Sequence, residues 1–171
     1  MKQIDDFHGQ NYFLSNFYPI SIVFEGQRFD SIEHAFQAAK TLSLEERKAF
    51  QRPGMSPGQS KRLGRQVTLR SDWESVKTSI MLELLTYKFS DVYAPMQGRL
   101  LDTGSAVLVE GNYHHDNFWG DCYCNAGGPA TREVKAACKP EGKNWLGQLL
   151  MVVREQLQAK RAQTDQYRTE A

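Results

Sequence analysis

Helix-start signals recur through the first half of the chain: a small polar residue, an acid three positions later, then apolar residues every three or four positions. Asp30-Ser31-Ile32-Glu33 opens one such segment, with Asp30 as the cap, running to about Ala39 with Ile32, Phe36 and Ala39 as its apolar stripe. Ser43 with Glu46 opens a second, SLEERKAF, which Pro53-Gly54 stops. Ser56-Pro57 begins a third. Ser71 with Glu74 begins a fourth, where Trp73, Val76, Ile80, Leu84 and Tyr87 recur at helical spacing. Downstream, a helix from about Tyr93 to Asp102 ends at Gly104 and an extended SAVLVEG segment follows. A last helix begins at Asn144, with Leu146, Leu149, Leu150, Val153 and Leu157 on one face. Its polar continuation, QAKRAQTDQYRTEA, is expected to fray.

The main strand signal is ISIVFEGQRF, residues 20–29, which reads as a hairpin turning at Glu25-Gly26. The expected fold is therefore mainly α, a compact single-domain helical fold with a short N-terminal β-hairpin. Residues 1–157 form that domain, and 158–171 a polar C-terminal helical extension or tail. A chain of 171 residues can bury one core without disulfides or a structural metal. Its 21 Lys and Arg against 20 Asp and Glu argue against a general nucleic-acid or membrane binder, so any anion binding must be local. The start, MKQIDDFHGQ, carries acids where a signal peptide needs an apolar run. No stretch approaches the roughly 18 apolar residues of a membrane span, and a cytoplasmic location is expected.

Four groups of residues could carry chemistry. Glu33, Gln37 and Lys40 share a helical face, bringing a carboxylate, an amide and an amine together; a capping acid on a solvated stripe explains the same spacing. Residues 47–70 hold Arg47, Lys48, Arg52, Lys61, Arg62, Arg65 and Arg70 with no acid, a local positive block suited to a phosphorylated ligand. Trp73, with Lys77 one turn on, could stack on a base or simply head a core stripe. NYHHDNFWGDCYCNAGG lies in a long loop, 112–143, where Gly120 is a hinge that would let Asp121 project into a partly desolvated cleft as an acid or base. An Asp beside Gly also commonly caps a turn. Cys122, Cys124 and Cys138, with His114 or His115, could in principle supply four zinc ligands, but their spacing is not a standard zinc signature; no metal or cofactor is expected, with reduced thiols and a zinc site left as the two readings of the cysteines.

Taken together, SNF at 15–17, SIEHAFQAAK at 31–40, WESVK at 73–77, FWGD at 118–121 and GKNWLGQLLMVVREQL at 142–157 resemble the NADAR family over nearly the whole chain. The resemblance implies a mostly α-helical N-glycosidase acting on ribosylated compounds. By motif position it makes Glu33 and Asp121 the functional acids, Lys40 the helical amine and Trp73 the aromatic. Asn16, Gln37, Lys77, Trp119 and Asn144 fall inside the matching motifs as substrate-binding candidates, to which the basic block adds Arg65. CYCNAGGPATREVKAACKPE is an insertion relative to the family pattern.

Two substrate classes go with the resemblance. One is ADP-ribosylated guanine in DNA, which the size of the basic block and the enlarged loop favour; the other is a ribosylaminopyrimidine phosphate of early riboflavin synthesis. The expected partner is thus an ADP-ribose or ribose-phosphate containing substrate, ADP-ribosylated DNA among them. A non-catalytic ADP-ribose or nucleotide binding module is the alternative of another class.

Overall fold

The computed structural model describes residues 2–122 and 142–170. Its elements in chain order are β1 (Gln3–Ile4), β2 (Ile22–Phe24), β3 (Gln27–Phe29), α1 (Ile32–Ala38), α2 (Leu44–Lys48), α3 (Pro57–Leu63), α4 (Trp73–Lys88), α5 (Ala94–Asp102), β4 (Val107–Leu108), β5 (Gly111–Asn112), β6 (Asp121–Cys122) and α6 (Trp145–Glu170). The fold is mainly α, with strands confined to three two-stranded pairs. No helix among the described residues is long and apolar enough to cross a membrane. The chain forms two compact units, Asn16–Gln97 and a second made of Met1–Ser15 with Gly98–Ala171, the boundary falling within α5.

In the Asn16–Gln97 unit, β2 and β3 pair antiparallel as the sequence predicts, Ile22 opposite Phe29. Glu25 and Gly26 both take positive φ, 46° and 75°, the backbone twist that a two-residue hairpin turn requires. The hairpin, α3 and α4 all pack on α1. As a result every residue of α1 is buried, where the spacing predicts only a stripe. Its cap is Ser31, not Asp30: the Ser31 hydroxyl accepts from the His34 amide. Glu33 therefore sits at the second helical position and is released from capping duty. The start of α4 differs in the same way. Asp72, not Ser71, occupies the cap position, and its carboxylate is held by Arg70 at 2.6 and 2.9 Å. Ser43 and Ser56 cap α2 and α3 as their sequence implies, the latter with a reciprocal Gln59 contact.

The second unit is built on pairings that the sequence did not announce. β1 lies parallel to β4 and β5 parallel to β6, so SAVLVEG splits into two strands with different partners. Leu146, Leu149, Leu150 and Val153 of α6 are buried, while its polar continuation stays helical through Glu170 and exposed through Thr169, where the sequence predicts fraying. Arg154 is buried on the same helix and donates to the Thr103 hydroxyl and the Ala106 carbonyl, which offset the desolvation of its charge.

Candidate active site

Glu33 is 5 % exposed and Gln37 4 %, so two polar side chains with no capping role stand inside the core of their unit. Burying an ionised carboxylate costs several kcal/mol unless it is hydrogen-bonded. Here Gln37 Nε2 donates to Glu33 Oε1 at 2.8 Å, and the Glu33 backbone amide donates to the Asn16 carbonyl at 3.0 Å. Asn16 thereby helps to seat the start of α1. Its own side-chain Oδ1 is buried without a hydrogen-bond partner among the described residues, while Nδ2 lies 3.6 Å from Met81 Sδ. Beside Glu33, His34 is buried, its Nδ1 2.8 Å from the Ser31 hydroxyl and its Nε2 3.0 Å from the Met55 carbonyl. Burial lowers the pKa of His34 below the ordinary histidine value, against opposing effects of the Met55 carbonyl and Asp30.

Lys40 lies just past the end of α1, in the turn that follows the Ala39 cap. Its Nζ sits over the Trp73 indole, 5.9 Å from the ring centroid. Trp73 opens α4 and is 6 % exposed, its ring 5.0 Å from that of Phe36. The turn is tied to that helix start, because the Arg70 amide donates to the Lys40 carbonyl at 2.8 Å and the Trp73 amide to the Arg70 carbonyl at 3.2 Å. Burial is the largest influence on Lys40 and pulls its pKa below the usual lysine value. Glu33 acts in the opposite direction, while Lys61 and Arg65 depress it further. A lysine in this environment holds more of the free amine at neutral pH than an exposed one. Lys77, one turn beyond Trp73, is mostly buried and ion-paired with Glu74.

Three of the seven cations in the 47–70 block are matched by acids outside or beside it. Arg47 is buried against Glu25 and the Thr41 carbonyl, Lys48 pairs with Glu45 at 3.3 Å, and Arg70 with Asp72. Arg52, Lys61, Arg62 and Arg65 have no ion pair among the described residues. They fall into two groups. Lys61 and Arg65 are the pair that acts on Lys40. Arg52 and Arg62 instead line a separate cavity of about 540 Å³, with Gly54, Met55, Gln59 and Gln66.

Asp121, Trp119 and Asn144 belong to the other unit. Asp121 begins β6, and its Oδ1 accepts from the Gly142 amide at 2.6 Å. Trp119 packs edge-on against Phe118, ring centroids 5.0 Å apart. Gly120 is not a positive-φ hinge. Its role is steric, since a Cβ there would lie 2.1 Å from the Glu110 carbonyl oxygen. Asn144 takes φ 48° ahead of α6, and its amide is committed to the backbone: Oδ1 accepts from the Glu110 amide at 2.9 Å and Nδ2 donates to the Leu108 carbonyl at 2.9 Å. It works as a brace. Sequence reasoning missed Asn112, which is buried and organises the loop ahead of Asp121. Its Nδ2 donates to the Asp116 and Asp121 carbonyls, and its Oδ1 accepts from the His114 and Asp116 amides. The signal was present as an Asn opening a loop, where side-chain turns are favoured. Cys122 is buried and disulfide-bonded, so it is not a free thiol; Cys124 and Cys138 lie outside the described residues. Among the described residues no group of His, Cys, Asp and Glu could hold a metal ion.

Residues 5–158 match the family model described as the NADAR domain. The chain belongs to the NADAR domain family. It is 39 % identical over 145 residues to the N-glycosidase YbiA of Escherichia coli K12, covering 84 % of this chain and 79 % of that protein. It is 36 % identical over 156 residues to a riboflavin biosynthesis protein of Vibrio vulnificus, covering 90 % of this chain and 37 % of that longer protein. The NMR structure of E. coli YbiA superposes with a TM-score of 0.75 at 33 % identity, covering 95 % of this chain and 89 % of YbiA. In this NADAR chain Glu33, Gln37, Lys40, Trp73 and Arg65 all lie in the Asn16–Gln97 unit, around the junction of α1, α3 and α4.

Proposed function

We propose that this NADAR protein is an N-glycosidase, a hydrolase that cleaves the bond between ribose C1′ and an exocyclic amine of a base. The observation that carries the reading is Lys40, partly buried over Trp73 in the field of the buried Glu33. An exocyclic N-riboside is an aminal, which can open to an imine at C1′. The Lys40 amine adds to C1′, the bond to the base nitrogen breaks, and a proton delivered by an acid leaves with the base as a neutral amine. The resulting lysine imine takes up water, releasing the ribose and restoring the amine. Glu33 serves as a proton carrier, and the motif resemblance gives Asp121 the same duty. Trp73 offers its face to the base or ribose, with Asn16 and Lys77 as further contacts.

A ribosylaminopyrimidine phosphate is the favoured substrate. The larger alternative, ADP-ribosylated guanine in DNA, drew support from the size of the basic block, and three of those cations are already paired. Lys61 and Arg65 beside Lys40 suffice for one phosphate. The relative named for riboflavin biosynthesis points the same way. The Arg52 and Arg62 cavity keeps the ADP-ribosyl reading open, because a second phosphate or a strand could use it.

Both substrates should be offered to the purified protein and release of the base measured. Binding without release from either would convert the reading to a nucleotide-binding module. Borohydride added during turnover should trap a substrate-dependent adduct that is absent in Lys40→Ala. Full turnover by that variant would remove the lysine route and leave direct displacement at C1′ by a carboxylate or an activated water.

A further inference from the structure

Gln37 is placed to do something other than touch substrate. Its side chain is buried and spans two neighbours, with Nε2 on Glu33 Oε1 at 2.8 Å and Oε1 facing Gly64 at the end of α3. A Cβ built on Gly64 would fall 2.0 Å from that Oε1 and 2.8 Å from the carboxamide carbon. No residue with a Cβ fits this contact without moving the amide. The Gly64 φ of −63° is ordinary for any residue, so a side chain there is opposed by the Gln37 amide and not by backbone conformation. Oε1 has no conventional hydrogen-bond donor among the described residues. The direction in which a Cβ would project is that of one glycine Cα hydrogen, which makes a weak C–H···O contact with the oxygen. Turning the amide over would set its oxygen against the Glu33 carboxylate, two acceptors facing one another.

We infer that Gln37 and Gly64 form a latch that fixes the rotation of the Glu33 carboxylate, making Gln37 a positioning residue and Gly64 its seat. The inference rests on the proposed role of Glu33 in proton transfer. A carboxylate that must meet a leaving nitrogen at hydrogen-bond distance loses rate when it can rotate, even where binding is untouched. Lys61 and Arg65 put positive charge beside Lys40 at the same junction, whereas Gly64 bears no group that could contact a substrate except through its backbone.

Three variants test the latch: Gly64→Ala, Gln37→Met and the double variant. Gly64→Ala and Gln37→Met should each lower kcat about tenfold or more with KM within about twofold, as expected for a displaced proton carrier. The two sites touch, so the double variant should be no worse than the poorer single one. Losses that multiply in the double variant, or a Gly64→Ala protein at wild-type kcat, would overturn the latch. A second readout needs no turnover. The side-chain amide pair of Gln37, assigned in an ¹H–¹⁵N spectrum by its loss in Gln37→Met, should move on Glu33→Gln and collapse toward the position of exposed glutamines in Gly64→Ala. An unmoved pair refutes the latch. Should the wild type release base from neither substrate, the N-glycosidase reading falls, and the spectrum still decides the latch.

Discussion

Replacing Trp73 by leucine separates its two possible duties, because the structural loss can be worked out in advance. The side chain is 6 % exposed. A buried tryptophan removes roughly 200 Å² from water, worth about 5 kcal/mol at ~25 cal/mol/Å². Leucine restores about half of that, and loss of the Phe36 ring contact and the Lys40 cation contact adds about 1–2.5 kcal/mol together. The expected destabilisation is about 4 kcal/mol, which in a domain of this size lowers Tm by about 8–16 °C. Thermal melts followed by circular dichroism give this number. Activity is then measured well below the lowered Tm, where the variant is still folded. If the indole face is a wall of the site, kcat/KM should fall by about tenfold or more even though the protein is folded, since a stacked base is worth about 1–3 kcal/mol. Wild-type kcat/KM in a variant with the expected Tm loss would show that Trp73 is a core residue and nothing else.

Lys40 must be the free amine to attack, so the rate should rise with pH up to its pKa, which burial places below the ordinary lysine value. Arg65→Gln removes one of the cations that depress it, so the limb of kcat against pH should move to higher pH; an unmoved limb would separate Arg65 from Lys40. Asp121→Asn keeps an oxygen to accept from the Gly142 amide, which Asp121 now does at 2.6 Å. Melts should therefore change little while activity falls about 100-fold or more, the ordinary range for a lost acid or base; retained turnover would dismiss Asp121 as a proton carrier. His34 has its folded pKa lowered by burial, so its stabilising contribution is present above the unfolded histidine value and is lost as pH falls through the folded one. Tm measured from pH 7 down to pH 5 should drop less steeply in His34→Gln than in the wild type, and parallel curves would contradict the assignment.

Local chemistry wrote much of this protein plainly. Ser43, Ser56-Pro57, Glu25-Gly26 and the apolar spacing of α4 and α6 act through neighbours within a turn or two, and each element stands where its residues imply. The set of motifs likewise marked Glu33, Lys40 and Trp73. What spacing could not supply was the environment of each side chain. A helical face reads as solvated or buried only once its packing partners are known, and α1 is covered by the hairpin just before it and by α3 and α4, some twenty to fifty residues further along the chain. That cover turned Glu33 from a capping acid into a buried carboxylate and put Lys40 against an indole. It also sorted the basic block, because Glu25 and Asp72 reach Arg47 and Arg70 through folding and a local turn. The parallel strand pairs and the contact between Gly64 and Gln37 depend wholly on distant chain segments meeting. The sequence by itself determined which helices form and which residue types are at hand for chemistry. Only the tertiary structure decided which charges are neutralised and which polar groups are desolvated, because solvation and Coulomb interaction depend on distance in space and not along the chain.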